Sequence, residues 1–145
     1  MSVFGLLALT TAAAFTGAAV YITIAEQPAR LKLDDAALLR EWKPAYKRGF
    51  AMQAPLAFLG FVFGVLAWHK TGANGFLYGA LISVANWPWT LIAIMPTNNA
   101  LMAMEPSSEN PQMRALVRRW GWLHAVRSIL GFAATVTFLL SAIAH

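Results

Sequence analysis

Residues 118–144 read RRWGWLHAVRSILGFAATVTFLLSAIA, a stretch that begins with two arginines and ends in a long apolar run. Its length suffices for a helix that crosses the roughly 30 Å hydrocarbon core of a bilayer. His124 and Arg127 lie inside the stretch, although ionisable side chains are costly in hydrocarbon and persist there mainly when they face a protein interior. The stretch therefore predicts a transmembrane helix whose polar face is turned toward other helices.

Three more apolar stretches, at about 3–25, 47–68 and 75–95, are long enough to span a membrane. The chain has 145 residues, of which 59% are hydrophobic and 12% are charged, so we expect one integral membrane domain over residues 1–145. The first stretch lacks a basic start and a small-residue cleavage site, which favours a retained helix over a signal peptide. Apolar and charged residues are mixed over 27–46, which predicts an interfacial amphipathic helix between the first two spans. The predicted fold is an all-α bundle of four transmembrane helices.

The positive charges are concentrated on one side of the predicted bundle. The first and third connections carry Arg30, Lys32, Arg40, Lys43, Lys47, Arg48, Arg114, Arg118 and Arg119, and the opposite side carries Lys70. The positive-inside rule places these connections in the cytoplasm and both termini outside, as in a cell inner membrane. Because the basic residues flank membrane spans, we expect lipid headgroups as their partners and no nucleic acid. The absence of cysteine from the sequence excludes disulfide and thiol redox chemistry.

The polar side chains within the apolar stretches lie toward this basic end. They are Glu26, Gln53, Asn86, His124 and Arg127. On the fourth helix Trp120, His124 and Arg127 share one face, because they are spaced by four and then three residues. Glu26 is the acid nearest to this face, so we expect it to pair with Arg127 or to share a proton with His124. The pattern predicts one polar pocket in the cytoplasmic-side half of the bundle.

Each of these residues also has a structural interpretation. Arg127 could snorkel to the surface, Glu26 could be an ordinary interfacial acid, and Asn86 could join two helices through hydrogen bonds. Asn98 and Asn99 follow Pro96, so they either end the third helix or close the mouth of a pocket.

Metal ligands do not converge in this pattern. His69 and His145 belong to the opposite side from His124, which leaves Glu26 and His124 as weak support for a single non-haem metal ion. We therefore expect no metal ion, and a single non-haem metal at Glu26 and His124 stays as the alternative.

Four segments resemble the anthrone oxygenase-like family of small four-helix membrane proteins. They are EQPAR at 26–30, NWPWT at 86–90, MPTNNAL at 95–101 and WGWLHAVR at 120–127. The resemblance implies a membrane oxidoreductase or oxygenase that acts on a lipophilic aromatic, anthrone-like or quinol-like substrate. Some relatives oxidise anthrones to anthraquinones with molecular oxygen and without a dedicated organic cofactor.

The resemblance also suggests roles for individual residues. His124 would act as the base, Arg127 and Asn98 would hold an oxyanion, and Glu26 would orient His124. Further predicted substrate-binding residues are Gln53, Asn86, Trp87, Asn99 and Trp120. A lipophilic substrate would reach them from the bilayer. The alternative is a non-catalytic scaffold, in which the polar cluster fixes the bundle register and exposed aromatic residues recruit a partner or form a homo-oligomer.

Overall fold

The computed structural model describes residues 2–107 and 109–145 of the chain. These residues form four long helices, which we label α1 (Val3–Arg30), α2 (Asp35–Thr71), α3 (Asn74–Ala103) and α4 (Pro111–Ala144). By length and composition each helix is able to cross a membrane, so the chain is a multi-pass membrane protein. The predicted all-α fold with four membrane helices is confirmed.

The turns between helices follow from local capping chemistry. Asp34 caps α2 by accepting a hydrogen bond of 2.8 Å from the backbone N–H of Ala37, and Asn110 caps α4 in the same way. Gly72 ends α2 with φ of 73°, a left-handed conformation that glycine adopts without a steric penalty. The tight turn that follows makes α2 and α3 antiparallel neighbours.

The segment 27–46, which was predicted to be a separate interfacial helix, is divided between two helices. Its first residues end α1 at Arg30, and its residues from Asp35 onward are the first part of α2. The helix runs without interruption from Asp35 to Thr71 and contains Pro44. Trp42 in this part of α2 is fully buried and meets the Trp120 ring edge-on at 5.8 Å. The apolar face of this segment packs on the start of α4, because protein partners are available to it there.

Both α1 and α3 contain a π-helical turn, at Ile22–Glu26 and at Thr90–Ile94. Each turn ends two residues before a proline, Pro28 or Pro96. A proline has no N–H and its ring crowds the carbonyl four residues earlier, so the backbone widens there. The backbone of α3 is thus widened before Pro96, and α3 is also interrupted at Ala85. Such π turns occur frequently at functional sites.

The half of the bundle away from the basic connections, here called the packed half, has a close-packed apolar core. Its buried cluster includes Ala8, Ala12, Ala67, Phe76, Ala80, Ala134 and Phe138. A Cβ atom built on Gly79 would lie 2.5 Å from the Phe138 ring, and one built on Gly64 would lie 2.8 Å from it. These glycines therefore allow α2, α3 and α4 to approach one another closely.

Candidate functional site

Side chains from all four helices surround one small cavity in the basic-side half, which we call the chamber. Its polar lining consists of Glu26, Arg30, Gln53, Asn98, His124 and Arg127. The cavity volume of about 20 Å³ is enough for about one water molecule or a diatomic gas. The structure thus brings together the polar groups of four separate helices, whereas an aromatic ring does not fit inside this space.

Arg30 binds the acid that we expected to pair with Arg127. Glu26 forms an ion pair with Arg30, one turn further along α1, and Glu41 Oε2 lies 3.0 Å from Arg30 Nε. The Arg30 guanidinium also lies 5.4 Å from the centre of the Trp120 ring. The expected pairing of Glu26 with Arg127 is therefore wrong, because a closer cation lies on the same helix.

Sequence reasoning had counted Arg30 among the surface charges, yet it is only 3% exposed. The sequence feature that indicates the role of Arg30 is its spacing of four residues from Glu26, which places an acid and a base side by side on a helix.

His124 is held by stacking rather than by a carboxylate. Its ring lies 4.9 Å from that of Trp120, at an interplanar angle of 28°. His124 Nδ1 lies 3.5 Å from the Thr23 hydroxyl, which in turn is 2.9 Å from the Ser128 hydroxyl. The imidazole is 2% exposed and lines the chamber together with Glu26. Glu26 directs its carboxylate to Arg30, so it shares the chamber with His124 without binding it.

Arg127 is buried without a counter-ion among the residues that the structure describes. It is 7% exposed, its Nε has no hydrogen-bond acceptor in residues 2–107 and 109–145, and the ion pairs of that part of the chain involve other arginines. Its guanidinium carbon lies 5.4 Å from the centre of the Phe15 ring. An uncompensated buried charge is strongly destabilising. The position therefore suits an oxygen-bearing group that the protein does not itself provide.

Other buried polar atoms around the chamber also lack hydrogen-bond partners among the described residues. Within the described residues, Gln53 Oε1 and both side-chain amide atoms of Asn98 lack a hydrogen-bond partner. Native structures leave few such atoms, since each costs about 1–3 kcal/mol when it is buried unpaired. The chamber consequently presents both hydrogen-bond donors and acceptors to a guest.

A second cavity of about 100 Å³ adjoins the chamber between α2 and α3, and we call it the lipid-side cavity. It is lined by Phe50, Ala54, Asn86, Trp87, Thr90, Leu91 and Arg127. Phe50 and Arg127 also line the chamber, so the two spaces share a wall.

The predicted substrate-binding residues are divided between these two spaces. Gln53, Asn98 and Trp120 line the chamber, and Asn86 and Trp87 line the lipid-side cavity. Asn99 is exposed on α3 and lines neither of them.

The described residues contain no group of three His, Cys, Asp or Glu side chains that could share a metal ion. Glu26 and His124, the pair considered in the sequence, line the same chamber.

A four-helix membrane protein with a buried polar chamber is the class that fold and site define. A sequence profile described as anthrone oxygenase matches residues 42–137. The chain belongs to the anthrone oxygenase family, as the resemblance of its motifs indicated. The matched range contains Gln53, Asn98, His124 and Arg127, and begins after Glu26 and Arg30.

Individual fungal relatives agree with this assignment. An anthrone oxygenase of Aspergillus novofumigatus is 32% identical, over 71% of this chain and 74% of the relative. Anthrone oxygenases of Claviceps purpurea and Aspergillus fumigatus are also 32% identical, and the chain spans 66% of each. No solved structure matches the chain.

Proposed function

We propose that this protein is a membrane oxygenase that converts an anthrone-type aromatic substrate into the corresponding quinone with molecular oxygen. Family membership supports the reaction class. The observation that carries the proposal is the buried Arg127 guanidinium, which has no counter-ion among the described residues and lies on the wall of the chamber that His124 also lines. A non-catalytic scaffold would satisfy its buried polar groups internally. Atoms of Arg127, Gln53 and Asn98 that have no partner in the described part of the chain therefore argue against that alternative.

The proposed reaction balances without an additional reductant. A base removes one proton from the methylene carbon opposite the ketone, and the resulting enolate carries its charge on the ketone oxygen. The enolate donates electrons to dioxygen, which forms a bond to that carbon. The carbon then loses its second hydrogen, and the oxygen–oxygen bond breaks. One oxygen atom stays as the new carbonyl and the other leaves as water, so anthrone and dioxygen give anthraquinone and water.

In this scheme His124 accepts the first proton, directly or through a single water, for which the chamber has room. Arg127 donates hydrogen bonds to the enolate oxygen, and Asn98 contributes its free amide. The stack of Trp120 on His124 fixes the plane of the imidazole. Burial of these groups strengthens their interaction with a developing charge, because little water competes with them.

Glu26 has a different role in the proposal. It lines the chamber and also an outer groove between α1 and α2, where Arg48 and Gly49 are its neighbours. A partly exposed carboxylate in that position connects the chamber to the basic end of the protein. We assign to it the passage of protons between chamber and solvent rather than the orientation of His124.

We further propose that the chamber lies in the cytoplasmic-side half of an inner membrane, with both termini on the other side. The basic first and third connections support this orientation through the positive-inside rule. Reporter domains fused to either terminus should be active only on the non-cytoplasmic side, and cytoplasmic activity of both fusions would reverse the assignment.

Oxygen uptake by the protein in lipid nanodiscs tests the proposed function. Dihydroxyanthrone is added in air, and quinone formation and oxygen consumption are recorded against empty nanodiscs, with isotopically labelled dioxygen to trace the new carbonyl. We expect one dioxygen per quinone, and a rate reduced at least about 100-fold in His124→Gln and in Arg127→Met. Ile129→Ala, a lipid-facing change on the same helix, serves as the control. The same rate in empty nanodiscs would refute the proposal.

The proposal assigns no step to a metal or an organic cofactor. Dialysis against a chelator, followed by elemental analysis, should leave the rate of the purified protein unchanged. If the chelator removes a stoichiometric metal and abolishes the reaction, and if adding the metal back restores the rate, then the reaction depends on a metal and this part of the proposal is wrong.

A further inference from the structure

The lipid-side cavity changes from polar to apolar along its length. At its inner end lie Asn86, Thr90 and Arg127, which are all buried. At its outer end Trp87 and Leu91 are largely exposed on the helix surface that faces lipid. A groove continues from there over Ala51, Pro55, Phe58 and Trp87, and it is almost entirely apolar. Together the two spaces form a path from the bilayer to the wall of the chamber.

The polar atoms at the inner end point to the chemistry of a guest. Asn86 Nδ2 donates to the Ser83 carbonyl at 3.2 Å, while Asn86 Oδ1 has no partner among the described residues. Thr90 Oγ1 and Arg127 Nε are likewise buried and unpartnered in that part of the chain. An amide oxygen accepts from a hydroxyl, and a guanidinium donates to a ketone or phenolate oxygen. A hydrocarbon chain offers neither group.

The size of the cavity limits how a guest lies in it. Its volume is about 100 Å³, whereas the apolar cavity known to bind one benzene molecule measures roughly 150 Å³. A fused ring system can therefore insert only one edge, and its remaining rings must lie in the groove outside. There the rings of Phe58 and Trp87, whose centres are 5.9 Å apart, supply aromatic surface.

Two aromatic side chains on this path differ in how they are held: Trp87 is fixed by a hydrogen bond, and Phe50 is not. The Trp87 indole donates a hydrogen bond of 3.1 Å to the Ala54 carbonyl, which fixes its ring across α2 and α3. Phe50 has no polar atom to tether it, and its closest aromatic contact is Tyr46, at 6.2 Å between ring centres. Because Phe50 lines both the cavity and the chamber, rotation of its ring would change the opening between them.

We propose that the lipid-side cavity binds the oxygen-bearing edge of a fused aromatic substrate that arrives from the bilayer between α2 and α3. Asn86 and Arg127 hold the oxygen atoms, the outer rings lie against Phe58 and Trp87, and Phe50 is the gate to the chamber. This inference rests on the proposed function, since it places the substrate of that reaction.

Binding of a stable product analogue tests the site without turnover. Dihydroxyanthraquinone is titrated into the protein in nanodiscs, and binding is followed by equilibrium partition against empty nanodiscs. Leu91→Trp fills the mouth of the cavity and should weaken binding at least about tenfold. Ile92→Trp is the matched control, because Ile92 is the next residue, is 78% exposed and lines neither cavity. Its affinity should stay within about twofold of wild type.

Two further comparisons test the route and the polar anchor. Met52→Trp narrows the groove between α1 and α2 and should leave binding unchanged. If Met52→Trp weakens binding and Leu91→Trp does not, the substrate uses the other groove and the proposal is overturned. Anthracene, which lacks oxygen, should bind at least about tenfold more weakly than the hydroxylated quinone. Equal binding of the two probes would show that Asn86 and Arg127 do not hold the oxygen atoms of the guest, and would overturn that part of the proposal.

The two proposals fail in different ways. A protein that binds the quinone at this site but consumes no oxygen with dihydroxyanthrone would refute the proposed function and keep the site. A protein that oxidises the anthrone equally well with Leu91→Trp and with Ile92→Trp would refute the site and keep the function. Melting temperatures of the variants in detergent establish that each one is folded.

Discussion

The packed half and the half that contains the chamber treat buried polar groups differently. In and next to the packed half, hydroxyl groups are paired: Thr16 and Thr135 lie 2.9 Å apart, and Ser83 donates to the Ala57 carbonyl at 3.0 Å. Around the chamber and the lipid-side cavity, polar atoms of Gln53, Asn86, Thr90, Asn98 and Arg127 lack partners among the described residues. The same four helices thus maximise internal contacts at one end and leave them incomplete at the other.

This difference indicates what each half is selected for. An unpaired buried polar atom costs about 1–3 kcal/mol, so several of them reduce the stability of the chamber half substantially. Natural proteins keep such costs mainly at functional sites. Mutations in the packed half should therefore reduce stability, whereas loss of those polar groups around the chamber that have no partner among the described residues should reduce activity and leave stability unchanged or improved.

The largest effect is expected for the two buried arginines, because Arg30 is paired with acids and Arg127 has no acid partner among the described residues. Arg30→Met removes the cation between Glu26 and Glu41 and should lower the free energy of unfolding by about 2–3 kcal/mol, a value reduced because both acids are partly exposed. Arg127→Met removes a charge that has no counter-ion within residues 2–107 and 109–145, and should leave that free energy unchanged or raise it. Denaturant titration in detergent, followed by tryptophan fluorescence, measures both. Equal losses would show that Arg127 is structural.

Glycine-to-alanine changes at two helix positions test the packing contrast. A Cβ atom on Gly79 would meet the Phe138 ring at 2.5 Å, so Gly79→Ala should destabilise the protein by about 2 kcal/mol. At Gly49, on the chamber wall, the nearest atoms would be Ile22 Cδ1 at 3.8 Å and Gln53 Nε2 at 4.0 Å. Gly49→Ala should be neutral or slightly stabilising, because alanine favours the helix. Denaturant titration measures the free energy of unfolding of both variants. Similar decreases for Gly79→Ala and Gly49→Ala would show that the two halves are packed equally closely.

Replacement of an unpaired amide and of a paired hydroxyl should have opposite signs. Asn98→Leu exchanges two unpartnered polar atoms for an apolar side chain of similar size and should raise the unfolding free energy by about 1 kcal/mol. Ser83→Ala removes the hydrogen bond to Ala57 and should lower it by about 1 kcal/mol. Thermal melts in detergent measure the difference, and a loss on Asn98→Leu would mean that Asn98 has a partner in the folded protein.

The smallest effect is expected at the hydroxyl pair between α1 and α4. Thr16→Val breaks the bond to Thr135 and should cost about 0.6 kcal/mol, the average for interhelical hydrogen bonds in membranes. Thr137→Val is the control, since the Thr137 hydroxyl bonds to the Ala133 carbonyl of its own helix. A larger loss for Thr137→Val would show that the pair contributes nothing to helix association.

Much of the architecture was predictable because charges in hydrocarbon are so costly. Long apolar runs predicted four helices, and His124 and Arg127 inside one run predicted a protein-facing polar surface. The burial of Arg30 and Trp42 was not predictable, because it depends on how the extension of α2 packs on α4. Counting charges by connection assigned Arg30 to the surface, and an uncharged residue such as Trp42 does not enter that count.

The orientation of side chains was less accessible from the sequence. The position of Glu26 gives its depth in the bundle but not its direction, so Arg127 and His124 were considered as partners, and Arg30, four residues further along the same helix, was overlooked. Asn98 and Asn99 are adjacent, and the orientation of α3 places the first in the chamber and leaves the second exposed. Regular helical spacing counted from Asn86 fails there, because the π turn at Thr90–Ile94 intervenes.

The two π turns allow each helix to carry unrelated surfaces at its two ends. A π turn holds one residue more than an α turn, and one residue corresponds to about 100° of rotation in an α-helix. In α1 the turn at Ile22–Glu26 therefore shifts the helical phase between the alanine-rich stripe near Ala12 and the carboxylate of Glu26. Removal of a single residue from this turn would restore one continuous phase and rotate one surface out of alignment with the other.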